Sequence, residues 1–321
     1  MREQGNLHFA AVRMLAATTV FWSLSFPLVK AIGILQSRLV PGSNSWFHAS
    51  LTGVVRFSCA GVILLLVSLR TVSKITRLEI WQGVGLGFFA AGGILLQMDG
   101  LSHTSASVSA FITQGFCVIV PIFIAFRDHR LPSIRLAFAL AMMMAGIGIL
   151  SNFDVHTLHL GRGELETLIA AVFFAGQILW LDRPLFARNN VNHFSIAMFF
   201  TMALFSLPIL LISWQTPRDV WVCYSNPGVI AISASITVFC TVIAFVIMNK
   251  WQPLVPPAEA AIIYGAEPVF ASLLALFLPG IVSKLTGIDY PNETITGQLL
   301  VGGILVLLAN LILQLRTAAR H

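Results

Sequence analysis

A glutamate followed directly by a proline, Glu267-Pro268, stands in the middle of the apolar run 255–278. The run is long enough to cross a bilayer, and a carboxylate at that depth costs roughly 2.5–3.5 kcal/mol on insertion scales. Proline deletes one helix N–H and frees a carbonyl one turn earlier. A membrane tolerates such a break only where the backbone meets protein or a water-filled cavity. Glu267 is therefore expected to face a polar cavity inside a bundle of apolar helices. Two roles are open to it there. It can exchange a proton or pair with a substrate amine, or it can be structural and bonded to backbone freed by the proline.

Other groups sit at similar depth. At 1.5 Å per helical residue, Glu267 and Trp22 lie roughly 16 Å into their spans and Gln114 roughly 14 Å, near the midplane of a core ~30 Å thick. Gln177 is also central, and Tyr264, three residues before Glu267, shares its helix face. Gln97, Gln114 and Gln177 can bind substrate or join helices, the latter worth ~0.6–2 kcal/mol each. Trp22, Trp180 and Tyr264 can stack on a ligand or simply pack. The candidate substrate-binding residues are thus Trp22, Gln97, Gln114, Gln177, Trp180, Tyr264 and Glu267, with Glu267 also the proton-coupling candidate. Lys30 and Asp182, near opposite ends of their spans, are gate candidates, although snorkelling to water accounts for both. Arg56 sits deeper, needs a partner or water, and is expected to be structural. His103 and Asp99 are expected to be solvated at an outer turn. Gly83-x-x-x-Gly87 and Ala141-x-x-x-Ala145 suggest close helix packing.

Composition sets the frame for these residues. The 321 residues are 57% hydrophobic and 10% charged, whereas a soluble domain carries about 25% charged residues. The chain is expected to be an all-α integral membrane protein. Its net charge of +6 is scattered between apolar runs, so no nucleic-acid partner is expected. Cys59, Cys117, Cys223 and Cys240 form no CxxC pair, and neither a disulfide framework nor a metal site is expected. The apolar run at Met14–Phe21 lacks a following A-x-A-like site and reads as a first span, not a cleaved signal.

A span needs about 20 mainly apolar residues. On that measure ten are predicted, near 11–35, 47–69, 78–98, 105–126, 133–151, 164–182, 194–214, 227–248, 256–279 and 295–315. An even number puts both termini on one side. The loops on that side carry most of the Lys and Arg, including Arg70, Lys74, Arg127 and Arg135. This asymmetry predicts cytoplasmic termini. Asn292-Glu293-Thr294 on the other side matches a glycosylation sequon, a pattern frequent by chance.

The two halves look alike. Val20–Ser23 can be laid on Val172–Ala175, which sets Lys30 opposite Asp182. Ala106–Phe116 lies on Ala258–Pro268, placing Gln114 and Gly115 opposite Ala266 and Glu267. Each half has an odd number of spans, so the repeats must have opposite orientations. The expected organisation is two inverted five-helix repeats, 1–152 and 153–321, forming one transport domain. Inverted repeats with interrupted helices and polar groups at mid-depth are the architecture of secondary transporters.

The chain resembles the EamA-type transporters of the drug/metabolite transporter superfamily. Phe21-Trp22-Ser23-Leu24-Ser25-Phe26 with Lys30 resembles the family's first helix, and Arg56-Phe57 its second. Leu95-Leu96-Gln97 through Thr104-Ser105-Ala106-Ser107 is similar to its third-to-fourth junction. Ala258 through Glu267-Pro268-Val269-Phe270-Ala271 resembles its ninth helix and Gly297–Asn310 its tenth. The likeness covers nearly the whole chain in order. Departures are Arg127-Asp128-His129-Arg130 where an acidic residue is usual, Phe174 where tryptophan is usual, and a longer ninth-to-tenth connection. The resemblance implies a transporter of small metabolites, with the substrate at mid-depth between the halves.

The function expected from these features is alternating-access secondary transport of amino acids or related compounds. Proton coupling is possible in principle through Glu267, and the family resemblance implies export. A sugar-nucleotide or phosphorylated-metabolite exchanger is the alternative, but it would want more lysines or arginines in the cavity. A membrane-embedded enzyme would want a cluster of His, Asp or Glu at depth. No Walker motif is present, and no cofactor is expected. The expected partners are a small-molecule substrate and membrane lipid, with oligomeric state left open.

Overall fold

The computed structural model describes residues 2–103, 109, 112–129, 131–150 and 161–317. The predicted Thr104–Ser107 junction, the opening residues of the fourth span, Arg130 and the repeat boundary at 152/153 lie outside the described residues. The described residues form helices and no strand. In chain order these are α1 (Arg2–Leu39), α2 (Ser45–Val67), α3 (Arg77–Gly100), α4 (Phe116–Asp128), α5 (Ile134–Leu150), α6 (Arg162–Leu181) and α7 (Val191–Ser213). They are followed by α8 (Pro227–Leu254), α9 (Pro257–Ala275) and α10 (Gly297–Thr317). Short helices at Pro217–Tyr224 and Leu278–Thr286 join α7 to α8 and α9 to α10.

Seven of these helices are long and apolar enough to cross a membrane: α1, α2, α3, α6, α7, α8 and α9. Shorter apolar stretches are Ile134–Ile149 in α5 and Gly297–Ile312 in α10. The ninth predicted span ran too far. Its helix ends at Ala275, and Leu278–Thr286 forms a separate turn of chain with Pro279 in its opening positions. Pro279 has no N–H to continue the preceding ladder, while the apolar Leu276-Phe277-Leu278 gave no hint of an end.

Helices α2, α3, α6 and α7 form one packed block, and α5 pairs with α10. In the block, small residues let backbones approach. A Cβ added at Gly83 would lie 2.3 Å from the Phe194 carbonyl oxygen, and one at Gly87 would lie 2.7 Å from that of Met198. The Gly83-x-x-x-Gly87 pair thus seats α3 on α7. Ala141 and Ala145 do not play the expected part, because both are exposed. The close contact of α5 falls on Gly146, whose added Cβ would lie 2.9 Å from the Gly302 oxygen on α10.

Polar anchors tie the block at both ends. Thr76 and Glu79 form a capping box that starts α3. The Glu79 carboxylate also accepts from the Asn190 N–H at 2.9 Å and lies 3.1 Å from His193 Nδ1, joining the loops before α3 and α7. At the other end Asp99 is not solvated as expected. Its exposure is 0%, and it accepts from Ser45 of α2 and Arg162 of α6. The third partner, His103, lies 3.6 Å away. A buried carboxylate must be paired, and two of its three partners, Ser45 and Arg162, come from distant parts of the chain.

Candidate functional site

A central cavity is lined by residues of α1, α2, α3, α4, α6, α8 and α9, and four of these helices, α1, α4, α8 and α9, are irregular or interrupted. Helix α1 carries Pro27 internally. Helix α9 stops at Tyr264 and restarts at Glu267, with Gly265 and Ala266 between. Upstream of α4 the chain likewise turns at Gln114–Gly115 before restarting at Phe116. The two breaks therefore correspond, one residue out of register with the alignment that set Gln114 opposite Ala266. A Cβ at Gly265 would lie 2.5 Å from Met143 Sδ, so this turn also admits close contact from α5. Helix α8 contains a π-helical stretch, Ile236–Ile243, that the apolar pattern did not signal. Such stretches are rare and frequent at functional sites.

Two contacts hold the breaks together. Ser23 Oγ of α1 lies 2.9 Å from the main-chain oxygen of Glu267, which it can reach as a donor. Cys117 Sγ of α4 donates to the Ala261 carbonyl at 3.1 Å. These contacts tie α9 to α1 and α4 on either side of its break, and the Ala261 carbonyl also accepts from the Gly265 N–H at 3.0 Å.

The cavity between these helices has a volume of about 250 Å³. It reaches Trp22, Gln97, Gln114, Gln177, Tyr264 and Glu267, all candidates from the sequence. Its deep part is floored by buried Gln177, Ile178, Met248 and Tyr264. Its mouth is marked by exposed Lys30 and Glu293 and by Tyr290. The mouth lies toward the C-terminal end of α1. At the opposite end His8 of α1 meets Glu259 of α9 at 3.2 Å. Residues 8 and 30 are roughly 33 Å apart along α1 at 1.5 Å per residue, so the pair and the mouth occupy opposite ends of the bundle.

Each polar group in the cavity has a particular setting. Gln114, at 1% exposure, lines the cavity together with Glu267. Gln97 donates to Thr113 Oγ1 at 3.2 Å, a contact that joins α3 to the segment before α4. Gln177 reaches only Met248 Sδ, at 3.8 Å. Tyr264 donates its hydroxyl to Gln252 Oε1 at 3.1 Å, and Gln252 in turn donates to the Ile178 carbonyl. Tyr264 thus offers the cavity its ring. Trp22 stands against that ring at 5.2 Å and against Phe245 at 5.4 Å.

Two candidates lie elsewhere. Trp180 does not line the cavity; its indole N–H donates to the Gln82 carbonyl at 3.1 Å, and its ring packs against Trp81, Phe89 and Phe186. It fills the α3–α6 seam beside Gly85, where an added Cβ would meet it at 2.2 Å. Asp182, just past α6, is also away from the cavity. Partial burial pushes its carboxyl above the ordinary range, with the Arg127 guanidinium opposing. Lys30 is at the mouth, its ammonium 5.5 Å from the Tyr290 ring centre.

Several lining residues escaped the sequence reading. Ser25, Thr113 and Phe245 carry no distinguishing signal among apolar helices. Tyr290 and Glu293 sit in the α9–α10 connection, whose unusual length was the only cue. Tyr290 is fixed by Ser283, which accepts from its N–H at 3.0 Å and donates to its carbonyl at 2.8 Å. Among the described residues no cluster of His, Cys, Asp and Glu could hold a metal ion.

Comparison with known proteins adds a class. The chain is 24% identical over 308 residues to an uncharacterized transporter of Archaeoglobus fulgidus, covering 94% of this chain and 85% of that one. It is 25% identical over 230 residues to the uncharacterized transporter YcbK of Bacillus subtilis, covering 66% and 73%. No protein-family model matches. A protein of known crystal structure shares the fold, with a TM-score of 0.68 at 15% identity over 97% of this chain and 99% of that one. The apolar helices and the relatives named as transporters together support a membrane transporter and not an enzyme.

Proposed function

We propose that the chain is a secondary transporter of small metabolites that works by alternating access, in the manner of the EamA-type transporters it resembles. The organisation we propose is ten spans in two inverted five-helix repeats, 1–152 and 153–321, with both termini cytoplasmic in the inner membrane. Amino acids or related compounds are the proposed substrates, moved outward, with Glu267 as the proton carrier. The observation that carries the reading is the cavity at the two helix breaks. It is lined by Glu267 and Gln114, is floored by buried side chains, and reaches the surface at Lys30 and Glu293. A substrate site reached from one side is what alternating access requires.

The test is uptake of labelled amino acids by proteoliposomes, with and without an imposed pH gradient. Wild-type transport is expected to follow the gradient, and Glu267→Gln is expected to lose that response while still binding substrate. Gradient-independent exchange that survives in Glu267→Gln would leave Glu267 a structural residue. Absence of transport for every amino acid would reject the substrate class.

A further inference from the structure

The α2–α3 and α6–α7 loops meet at one end of the block, where the Asn189 side chain donates to Gln82 Oε1 at 2.8 Å beside the Asn190–Glu79 contact. Three exposed arginines sit there, Arg77 at the start of α3 and Arg183 and Arg188 after α6. None of the three belongs to an ion pair among the described residues. The acids nearby do not neutralise them. Glu79 is buried, and its carboxylate is taken by Thr76, Asn190 and His193. The positive charge that acts on Asp182 is that of Arg127.

Two tryptophans lie beside these charges. The Arg183 guanidinium stands over the Trp180 ring, 4.0 Å from its centre, and Trp180 meets Trp81 edge-on at 5.7 Å. Trp81 is 56% exposed. Arg77 precedes it by four residues, which puts the two on one face of α3 with Cβ atoms roughly 5–6 Å apart. Arg77 and Arg183 therefore flank one tryptophan pair. The same face of α3 continues through Val84 and Phe88, both exposed. From the end of the bundle inward, this surface runs from cation to tryptophan to hydrocarbon. A phospholipid presents phosphate, glycerol and acyl chain in the same order of depth. Tryptophan is enriched at the middle level, and arginine bonds to phosphate as a two-pronged donor.

We propose that this surface, on the seam of α3 and α6, is a binding site for an anionic phospholipid of the surrounding bilayer. The phosphate lies between Arg77 and Arg183, Trp81 packs at the glycerol level, and an acyl chain runs along Val84 and Phe88. Arg188 adds positive charge from the loop that carries Arg183. Cations without acids favour a lipid of net negative charge over a zwitterionic one of the same shape. A free phosphate ester would satisfy the arginines and leave the apolar stripe uncovered. A second copy of the chain in the same orientation would bring like charges to the same depth, which is unfavourable. The site is separate from the central cavity, which none of these residues lines, and it requires only that the chain span a membrane. A bound lipid braces α3 against α6 where Trp180 fills the space beside Gly85.

The experiment is native mass spectrometry of the purified full-length protein in detergent, titrated with dioleoyl phosphatidylglycerol and with dioleoyl phosphatidylcholine. Wild type is expected to bind phosphatidylglycerol about tenfold more tightly. Arg77→Gln and Arg183→Gln are each expected to weaken that binding roughly fivefold and the double variant roughly twentyfold, with phosphatidylcholine changed little. Lys250→Gln is the control. Lys250 is an exposed cation with its ammonium 5.3 Å from the Trp251 ring centre, at the same end of the bundle, where Gln252 reaches the Ile178 carbonyl of α6. Equal affinity of wild type for the two lipids overturns the proposal, and this comparison needs no variant. So does a double variant that keeps the preference, or a Lys250→Gln protein that loses as much of it, since the charge effect then belongs to the whole face. Glycerol 3-phosphate is added as competitor. Displacement of phosphatidylglycerol at equal concentration assigns the arginines to a soluble phosphate ester and rejects the lipid. A dimer that forms in wild type without lipid and is lost in Trp81→Ala assigns the stripe to a second copy and likewise rejects it.

Discussion

The block of α2, α3, α6 and α7 and the wall of α1, α4, α8 and α9 are built on opposite rules. The block relies on glycines that bring regular helices into contact, as Gly83 and Gly87 do on α7. The wall relies on interruptions: Pro27, the turn at Gln114–Gly115, the π-helical stretch and the turn at Gly265–Ala266. Irregular backbone is tolerated within a membrane only where protein or water satisfies it. The wall meets that condition because Pro27, Gln114, Tyr264 and Glu267, at or beside its breaks, line the cavity, while Arg56 donates to the π-helical stretch. Close packing in the block leaves its helices little room, whereas the stop and restart within α9 interrupts the wall's hydrogen-bond ladder.

This contrast makes graded predictions. Gly83→Leu in the block is expected to have the largest effect on stability, at least about 3 kcal/mol. Loss of monodisperse protein on detergent gel filtration, or a strongly lowered melting temperature, would be the sign. A well-folded Gly83→Leu protein would show that α3 and α7 are not locked at this point. Glu79→Ala should cost about 2 kcal/mol, because the Asn190 and Thr76 N–H groups and the buried His193 ring lose their carboxylate partner. Thermal melts of Glu79→Ala and Glu79→Gln measure this, with Gln expected to recover part of the loss. In the wall, Glu267→Gln should change the melting temperature little and remove the pH-gradient response. A large stability loss there would place Glu267 with the structural carboxylates Glu79 and Asp99. Smallest of all, Ala141→Leu is expected to fall within about 0.5 kcal/mol of wild type, since Ala141 is exposed. A larger change would mean that this face of α5 packs against another protein surface.

The break at Glu267-Pro268 was legible because its signal is local. A carboxylate and a proline in an apolar run are each unfavourable in lipid, and two such residues together need a cavity. The glycine spacing on α3 was legible for a related reason, since only small residues permit such close backbones. The matching spacing on α5 misled, because Ala141 and Ala145 suit a lipid-facing surface as well as a helix contact. Trp180 was read as a cavity residue, but its ring lies in the α3–α6 seam. Around an all-apolar helix there is little contrast between faces, so depth can be counted along the chain while direction cannot.

Composition, the runs of apolar residues and the isolated polar groups within them were enough to indicate a membrane protein and to point to Glu267, which lines the cavity. These follow from the cost of placing each residue type in hydrocarbon, which depends on the residue and its neighbours in sequence. The fold was needed to bury Asp99 beside Arg162, to turn Trp180 into the α3–α6 seam, and to set Arg56 on the π-helical stretch of α8. Those outcomes depend on partners 63, 98 and 185 positions away, and on how far each helix is rotated about its axis. Contacts of that range are created by packing, so no local pattern of residues carries them.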